Sequence, residues 1–305
     1  MKEALEVYKI AELVRLALEE DIGEGDITTN CIIPQDMVVE ADIAVKEHGV
    51  ICGLPVAEYI FSRLDPPKAE ICFTSKVDEG ANVEAGYAVA NIKGSAQALL
   101  TGERVVLNFL QRLSGIATIT SSFVKKVCTY KAQIFDTRKT TPGWRYLEKY
   151  AVRVGGGKNH RLGLYDQILI KDNHLKCMSV SCTIKEVVQA ARKPHPTLLS
   201  PLRGEGGGGI EVEVEDLEQL KDALAADVDI IMLDNMDLPR IEQAVKIVGA
   251  YCNTPLRKKK RPLIEVSGNV TLEMVEDIAR TGVDRISIGA LTHSVKALDI
   301  SLEIR

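Results

Sequence analysis

Ile210-Glu211-Val212-Glu213-Val214, then the amphipathic run Leu217–Ala226, then Ile230-Ile231-Met232-Leu233 ending on Asp234: these residues set the fold. Two short β-branched runs flank a stretch of helical periodicity, the pattern of a strand–helix–strand unit. The alternation continues on both sides. Further strands are predicted at Gln133–Thr137, Gln167–Lys171, Leu263–Val266 and Arg285–Ile288. Helices are predicted at Thr183–Ala191, Pro239–Val248 and Leu272–Ala279, with Asp237 and Thr271 as N-caps. Repeated βα units of this length indicate a parallel α/β domain. Polar residues fall at successive strand C-termini: Arg138-Lys139, Lys171, Glu213, Asp234, Ser267 and Gly289. Convergence there favours a barrel over an open sheet, because the C-terminal mouth of a (β/α) barrel gathers such residues into one site.

Upstream the texture differs. Residues 9–20 have apolar positions at helical spacing, and the glycine-bearing turn Asp21–Asp26 stops that helix. From Val38 to about Lys93 short β-like pieces alternate with turns. Residues 98–126 are helical again, with a predicted interruption at Ser114-Gly115. The tail Leu298–Ile304 alternates like a strand that returns to the first domain. This divides the chain into an N-terminal domain, residues 1–115, and a barrel domain, residues 116–291, with the tail 292–305 rejoining the former. The Pro- and Gly-rich segment 193–208 reads as an insertion or linker, and Arg257–Pro262 as a solvated basic loop.

The chain of 305 residues carries a net charge of −5, with 46% hydrophobic and 27% charged residues. This is an ordinary globular balance, and its acidic sign argues against general nucleic-acid binding. No apolar run reaches membrane-spanning length, and the N-terminus lacks the apolar core of a signal peptide. Seven scattered cysteines without a CxxC pair point to reduced thiols in a cytoplasmic protein.

Against that acidic average, Arg138, Lys139, Lys158, Arg161 and Lys171, with His160 and His174, crowd into one region that straddles two strands and a glycine triplet. Fixed cations beside apolar strands suggest a site for carboxylates and phosphates. Glu211 and Glu213 have strand spacing and share one face. Glu213 and Asp234, on different strands, suit sugar hydroxyls or a divalent metal bridging phosphates. Ser267-Gly268-Asn269 and Ser287-Ile288-Gly289 end the last two strands, where backbone N–H groups can meet a phosphate.

Thr137-Arg138-Lys139-Thr140-Thr141-Pro142-Gly143, Gly155-Gly156-Gly157-Lys158-Asn159-His160-Arg161, Lys171-Asp172-Asn173-His174, Glu211-Val212-Glu213-Val214 and Leu233-Asp234-Asn235 together closely resemble the quinolinate phosphoribosyltransferase family. Glu103-Arg104 and Asn108–Thr118 extend the resemblance upstream, and Ser267-Gly268 and Ser287–Gly289 extend it downstream. The resemblance implies a small α/β-sandwich-like N-terminal domain, an incomplete α/β barrel, and a homodimer with shared sites. It implies conversion of quinolinate and phosphoribosyl pyrophosphate to nicotinate mononucleotide, pyrophosphate and CO2, with Mg2+.

Carried over position by position, it puts Arg104 of a partner chain, Thr137, Arg138, Lys139, His160, Arg161 and Lys171 around quinolinate. Glu213 and Asp234 face the ribose and metal, and Ser267, Gly268, Asn269, Ser287 and Gly289 hold the 5′-phosphate. Lys139, Lys171, Glu213 and Asp234 are the expected catalytic residues. Asn269 stands where many members have a second glycine. Two other readings use the same residues: a Schiff-base lyase or aldolase working through Lys139 or Lys171 on a sugar phosphate, and a non-catalytic phospho-sugar binding protein.

Overall fold

A computed structural model describes residues 5–64, 71–178, 182–193, 209–252 and 261–305. Most of the Pro/Gly-rich segment and Arg257–Lys260 of the basic run lie outside the described residues. The chain divides into two compact units: Met1–Ser121, Thr140–Gly156 and Leu291–Arg305 form one, Ser122–Lys139 and Gly157–Ala290 the other. No helix among the described residues is long and apolar enough to cross a membrane.

The first unit begins with helices α1 (Ala11–Ile22) and α2 (Ile27–Ile32), the latter capped by Asp26, whose carboxylate accepts from the Thr29 N–H. The strands β1 (Val38–Val45), β3 (Cys72–Ser75) and β5 (Ala88–Ser95) join the C-terminal strand Ile300–Ile304 in an antiparallel sheet. A small ribbon pairs β2 (Gly49–Val50) with β4 (Asn82–Val83). The C-terminal strand lies along β1, from Ala41 opposite Ile304 to Val45 opposite Ile300. Helix α3 (Leu54–Phe61) starts at Gly53, and the carboxylate of Glu79 accepts from the N–H groups of Gly53 and Leu54, two of the donors a helix start leaves open.

The long helix α4 (Ala96–Val127) runs straight through Ser114-Gly115 and is not interrupted there. The local sequence reads as a breaker for a tertiary reason. The Ser114 hydroxyl accepts from the N–H of Cys52 and donates to its carbonyl. A Cβ on Gly115 would fall 2.2 Å from the carbonyl oxygen of Lys296, so only glycine lets those two backbones approach. Helix α5 (Arg145–Val154) buries Glu148, which pairs with Arg112 of α4. The same carboxylate accepts from the N–H of Thr141 at 3.1 Å, while the guanidinium donates to the Thr141 hydroxyl at 2.7 Å.

The second unit contains six parallel strands: β6 (Gln133–Phe135), β7 (Ile168–Ile170), β8 (Ile210–Val214), β9 (Ile230–Asp234), β10 (Leu263–Ser267) and β11 (Arg285–Ser287). Their order in the sheet is β6-β11-β10-β9-β8-β7. Every strand from β7 onward lies beside its successor, as in a barrel, but β6 and β7 do not pair. The barrel is therefore incomplete, and the backbone of Lys158 bridges to Phe135 on the free side of β6. Helices α6 (Asp172–Cys177) and α7 (Ile184–Ala191) follow β7, and α8 (Leu217–Ala225), α9 (Leu238–Cys252) and α10 (Val275–Arg280) follow β8, β9 and β10.

Asp216 and Asp237 cap α8 and α9, but α10 is capped at Met274, not Thr271, because residues 272–274 form a turn before the helix. Strand β8 is buried on both faces. Val212 and Val214 occupy one side, and Glu211 and Glu213 the other. Carboxylates on the inner face of a buried strand are expensive to desolvate, so the residues around them must compensate.

Candidate active site

The C-terminal ends of the second unit's strands surround a cavity of about 570 Å³. From β6 comes Thr137-Arg138-Lys139, in a turn fixed by the Lys139 N–H donating to the Thr137 hydroxyl at 3.0 Å. The open edge of the barrel supplies His160 and Arg161. Their placement depends on Asp136, which is wholly buried and accepts from the Asn159 amide at 2.6 Å and the His160 N–H at 2.8 Å. An acid at the head of a basic motif thus ties the unpaired segment to β6.

The imidazole of His160 is oriented at both nitrogens. Its Nδ1 accepts from the N–H of Arg161 at 2.8 Å, which leaves Nε2 as the donor. Nε2 lies 3.1 Å from Glu211 Oε2 and 3.5 Å from Glu265 Oε1. Gln167 also donates to Glu211, at 2.9 Å, and the Ser287 hydroxyl donates to Glu265. Burial, and after it the charge of Glu211, pushes the Glu265 carboxyl up to about 7. The raised value reflects two carboxylates set near one another out of water. Arg161 is buried and donates to the Gln167 carbonyl at 3.1 Å. Burial first, and then the charge of Arg138, lowers its pKa. Two guanidiniums that repel one another in a shielded cavity are a preformed anion site.

On the other side, the ammonium of Lys171 is paired with Glu213. The Lys171 N–H donates to Nδ1 of His174 at 2.9 Å, which fixes the backbone where β7 turns into α6. Asp234 ends β9 and accepts from the Asn235 amide. Ser267, Gly268 and Asn269 complete the rim after β10, and Ser287 after β11.

Of the residues expected to meet the substrates, all but two line this one cavity, while Lys158, His174 and Glu211 from the same motifs do not. Gly289 is not part of the lining. Arg104 is an exposed residue of α4 in the first unit, and it too is absent from the lining. Sequence reasoning passed over three lining residues: Leu169, Met232 and Asn235. Leu169 and Met232 stand two positions before Lys171 and Asp234, so the strand period that places the charged residues also places them.

The family model described as quinolinate phosphoribosyl transferase, C-terminal domain, matches residues 116–303, and the corresponding N-terminal domain model matches residues 26–114. The chain belongs to the quinolinate phosphoribosyltransferase family. Among its relatives, quinolinate phosphoribosyltransferase [decarboxylating] 2b, mitochondrial, of Nicotiana tabacum is 40% identical over 97% of this chain and 82% of its own length. The probable nicotinate-nucleotide pyrophosphorylase [carboxylating] of Bacillus subtilis is 43% identical over 93% of this chain and 90% of its own. The solved nicotinate-nucleotide pyrophosphorylase of Francisella tularensis superposes with a TM-score of 0.85 at 37% identity, covering 100% of this chain and 99% of that one.

For a quinolinate phosphoribosyltransferase the cavity has a sensible polarity, with cations at the open edge of the barrel and acids across it. The acids also fit a hard divalent cation. Mg2+ favours one or two carboxylates with water and substrate phosphates over an all-protein cage. One Asp234 oxygen is engaged by Asn235, and among the described residues nothing engages the other. The buried group His160, Glu211 and Glu265 is less suitable, since the His160 donor nitrogen already points at the carboxylates.

Proposed function

We propose that this chain transfers the phosphoribosyl group of phosphoribosyl pyrophosphate to the ring nitrogen of quinolinate, with decarboxylation, in the biosynthesis of NAD. The observation that carries this reading is the gathering of Arg138, Lys139, Arg161 and Lys171 with Glu213 and Asp234 on one cavity. A dicarboxylate and a pyrophosphate are both expensive to desolvate, and paired cations offset that loss. A monocarboxylate acceptor would not need so many.

In this scheme Arg138, Lys139 and Arg161 hold the two carboxylates, with His160 beside them as an oriented, uncharged surface. The pyridine nitrogen carries a lone pair and no proton, so no general base is required. It attacks C1′ of the ribose, the bond from C1′ to the pyrophosphate oxygen breaks, and pyrophosphate departs with that electron pair. Positive charge developing on the sugar lies on the side of Glu213 and Asp234. Glu213 and Asp234 are the residues that would hold Mg2+, and the ion would supply charge neutralisation for the leaving group. The ring nitrogen, now cationic, accepts the electrons released when the neighbouring carboxylate leaves as CO2, and that carbon then takes a proton from water. Ser267, Gly268 and Asn269 hold the 5′-phosphate, with Ser287 and Gly289 behind them. Positioning and electrostatics do the catalysis.

We extend this reading to a homodimer in which Arg104 of one copy reaches the cavity of the other, and to partners that include neither nucleic acid nor membrane. A cytoplasmic location is the sequence-based reading; some relatives are named as mitochondrial or chloroplastic.

The test is release of CO2 from carboxyl-labelled quinolinate. Release that requires both the sugar donor and Mg2+ is expected, and no release under any combination would refute the reading. For Lys171 the Schiff-base alternative is disfavoured by its pairing with Glu213, which occupies the amine. Borohydride trapping with a ketose phosphate should leave no adduct.

A further inference from the structure

Three residues on the acidic side of the cavity form a one-way chain of hydrogen bonds. The Asn269 amide donates to Asn235 Oδ1 at 3.1 Å, and the Asn235 amide donates to Asp234 Oδ2 at 2.8 Å. A primary amide is a donor at one end and an acceptor at the other. The opposite sense would set the Asn235 carbonyl oxygen against the Asp234 carboxylate, so charge fixes the direction. Asn269, by occupying the acceptor end of Asn235, keeps the donor end on Asp234.

The backbone is built to hold this chain. Asn235 and Asn269 both lie in the left-handed region, at φ of 51°, where asparagine is among the few residues besides glycine that are tolerated. The Asn235 N–H donates to the Ser267 carbonyl at 2.9 Å and ties the loop after β9 to the loop after β10. Between them, Gly268 at φ of 98° has no room for a side chain, since its Cβ would fall 2.2 Å from Asn235 Oδ1. Asn269 therefore keeps the backbone that glycine would adopt and adds an amide that glycine cannot.

We infer that Asn235 and Asn269 are positioning residues for Asp234: the amide chain fixes one carboxylate oxygen so that the other is presented to the ribose hydroxyls and divalent cation of the sugar donor. This rests on the phosphoribosyl-transfer reading above. It makes the asparagine at position 269 a device of this chain, not a neutral replacement for glycine. Asn269 acts through Asn235, and a polarised chain of this kind strengthens its terminal bond.

The experiment is calorimetric titration of Asn235→Gly, Asn269→Gly and the double variant with phosphoribosyl pyrophosphate plus Mg2+, and separately with quinolinate. Glycine accepts these φ values without strain, so the backbone is preserved. Each single variant should bind the sugar donor about fivefold more weakly, the order of one hydrogen bond, with quinolinate affinity unchanged. The double variant should match Asn235→Gly alone, because glycine keeps the backbone N–H that meets the 5′-phosphate and the Asn269 side chain acts on the donor only through Asn235. Additive losses in the double variant would overturn the inference, as would unchanged donor affinity or an equal loss for quinolinate. Wild-type protein that neither binds the sugar donor nor releases CO2 would instead refute the functional reading, and the inference with it.

Discussion

Lys171 and Glu213 are ion-paired across the adjacent strands β7 and β8, the acid buried and the lysine partly open to the cavity. Glu213 is thus held in one place by the same side chain that faces the substrates. Lys171→Ala should lower kcat by about a hundredfold or more, in the range seen when a preorganised charge is removed. Lys171→Arg should recover part of the loss, since a cation still reaches Glu213. Steady-state kinetics of the two variants decides; equal, complete inactivity of both would mean that the amine itself, not its charge, is required.

Arg138 and Lys139 leave the end of β6 in a turn closed by Thr137. Neither belongs to the apolar core, so Arg138→Ala and Lys139→Ala should nearly abolish turnover while thermal unfolding stays within a few degrees of wild type. Normal turnover by either variant would remove that residue from the site.

Arg104 is exposed on α4 and does not line the cavity of its own chain. If it acts in a second copy, chains carrying Arg104→Ala mixed with chains carrying Lys139→Ala should regain activity, because one of the two cavities in a mixed dimer is then unaltered. About a quarter of wild-type activity is the ceiling for random mixing of equal amounts with one good cavity in half of the dimers. Demonstrated mixing without any recovery would place Arg104 outside the shared site.

Glu265 binds its proton more tightly folded than unfolded, with a folded value of about 7 against an ordinary 4.5. Its contribution to stability is therefore greatest at low pH and is lost as pH rises from the unfolded value through the folded one. Replacing it by glutamine should flatten the fall in unfolding free energy between about pH 5 and pH 7, and leave the variant at least as stable as wild type at pH 8. Chemical denaturation across that range reads the slope directly, and an unaltered slope would show that Glu265 is not the group responsible.

The β-branched runs and the charged residues at their ends made the barrel and most of its cavity readable in sequence. Glu213 and Asp234 were visible because an acid at the end of an apolar strand is costly to shield from water unless a ligand or a counter-charge meets it. Leu169 and Met232 were not, because an apolar residue on an inner face looks like any core residue. Asn235 stood in the motif Leu233-Asp234-Asn235 without a role of its own, and only the folded chain reveals that its amide faces the acid. Gly115 misled for the opposite reason. Its helix continues, and what the glycine accommodates is a carbonyl from residue 296, far along the chain. Gly115→Ala should accordingly destabilise the protein by about 1–3 kcal/mol, as overpacking does, although alanine favours helix. A melting temperature equal to or above wild type would contradict that close approach.

The sheet of the first unit takes its outer strand from Ile300–Ile304, and one further piece of that unit, Thr140–Gly156, is interleaved with the barrel sequence. During synthesis β1 therefore keeps one edge bare until residues 300–304 have left the ribosome. A nascent chain stalled before residue 300 would present that edge to its neighbours and invite strand-to-strand association.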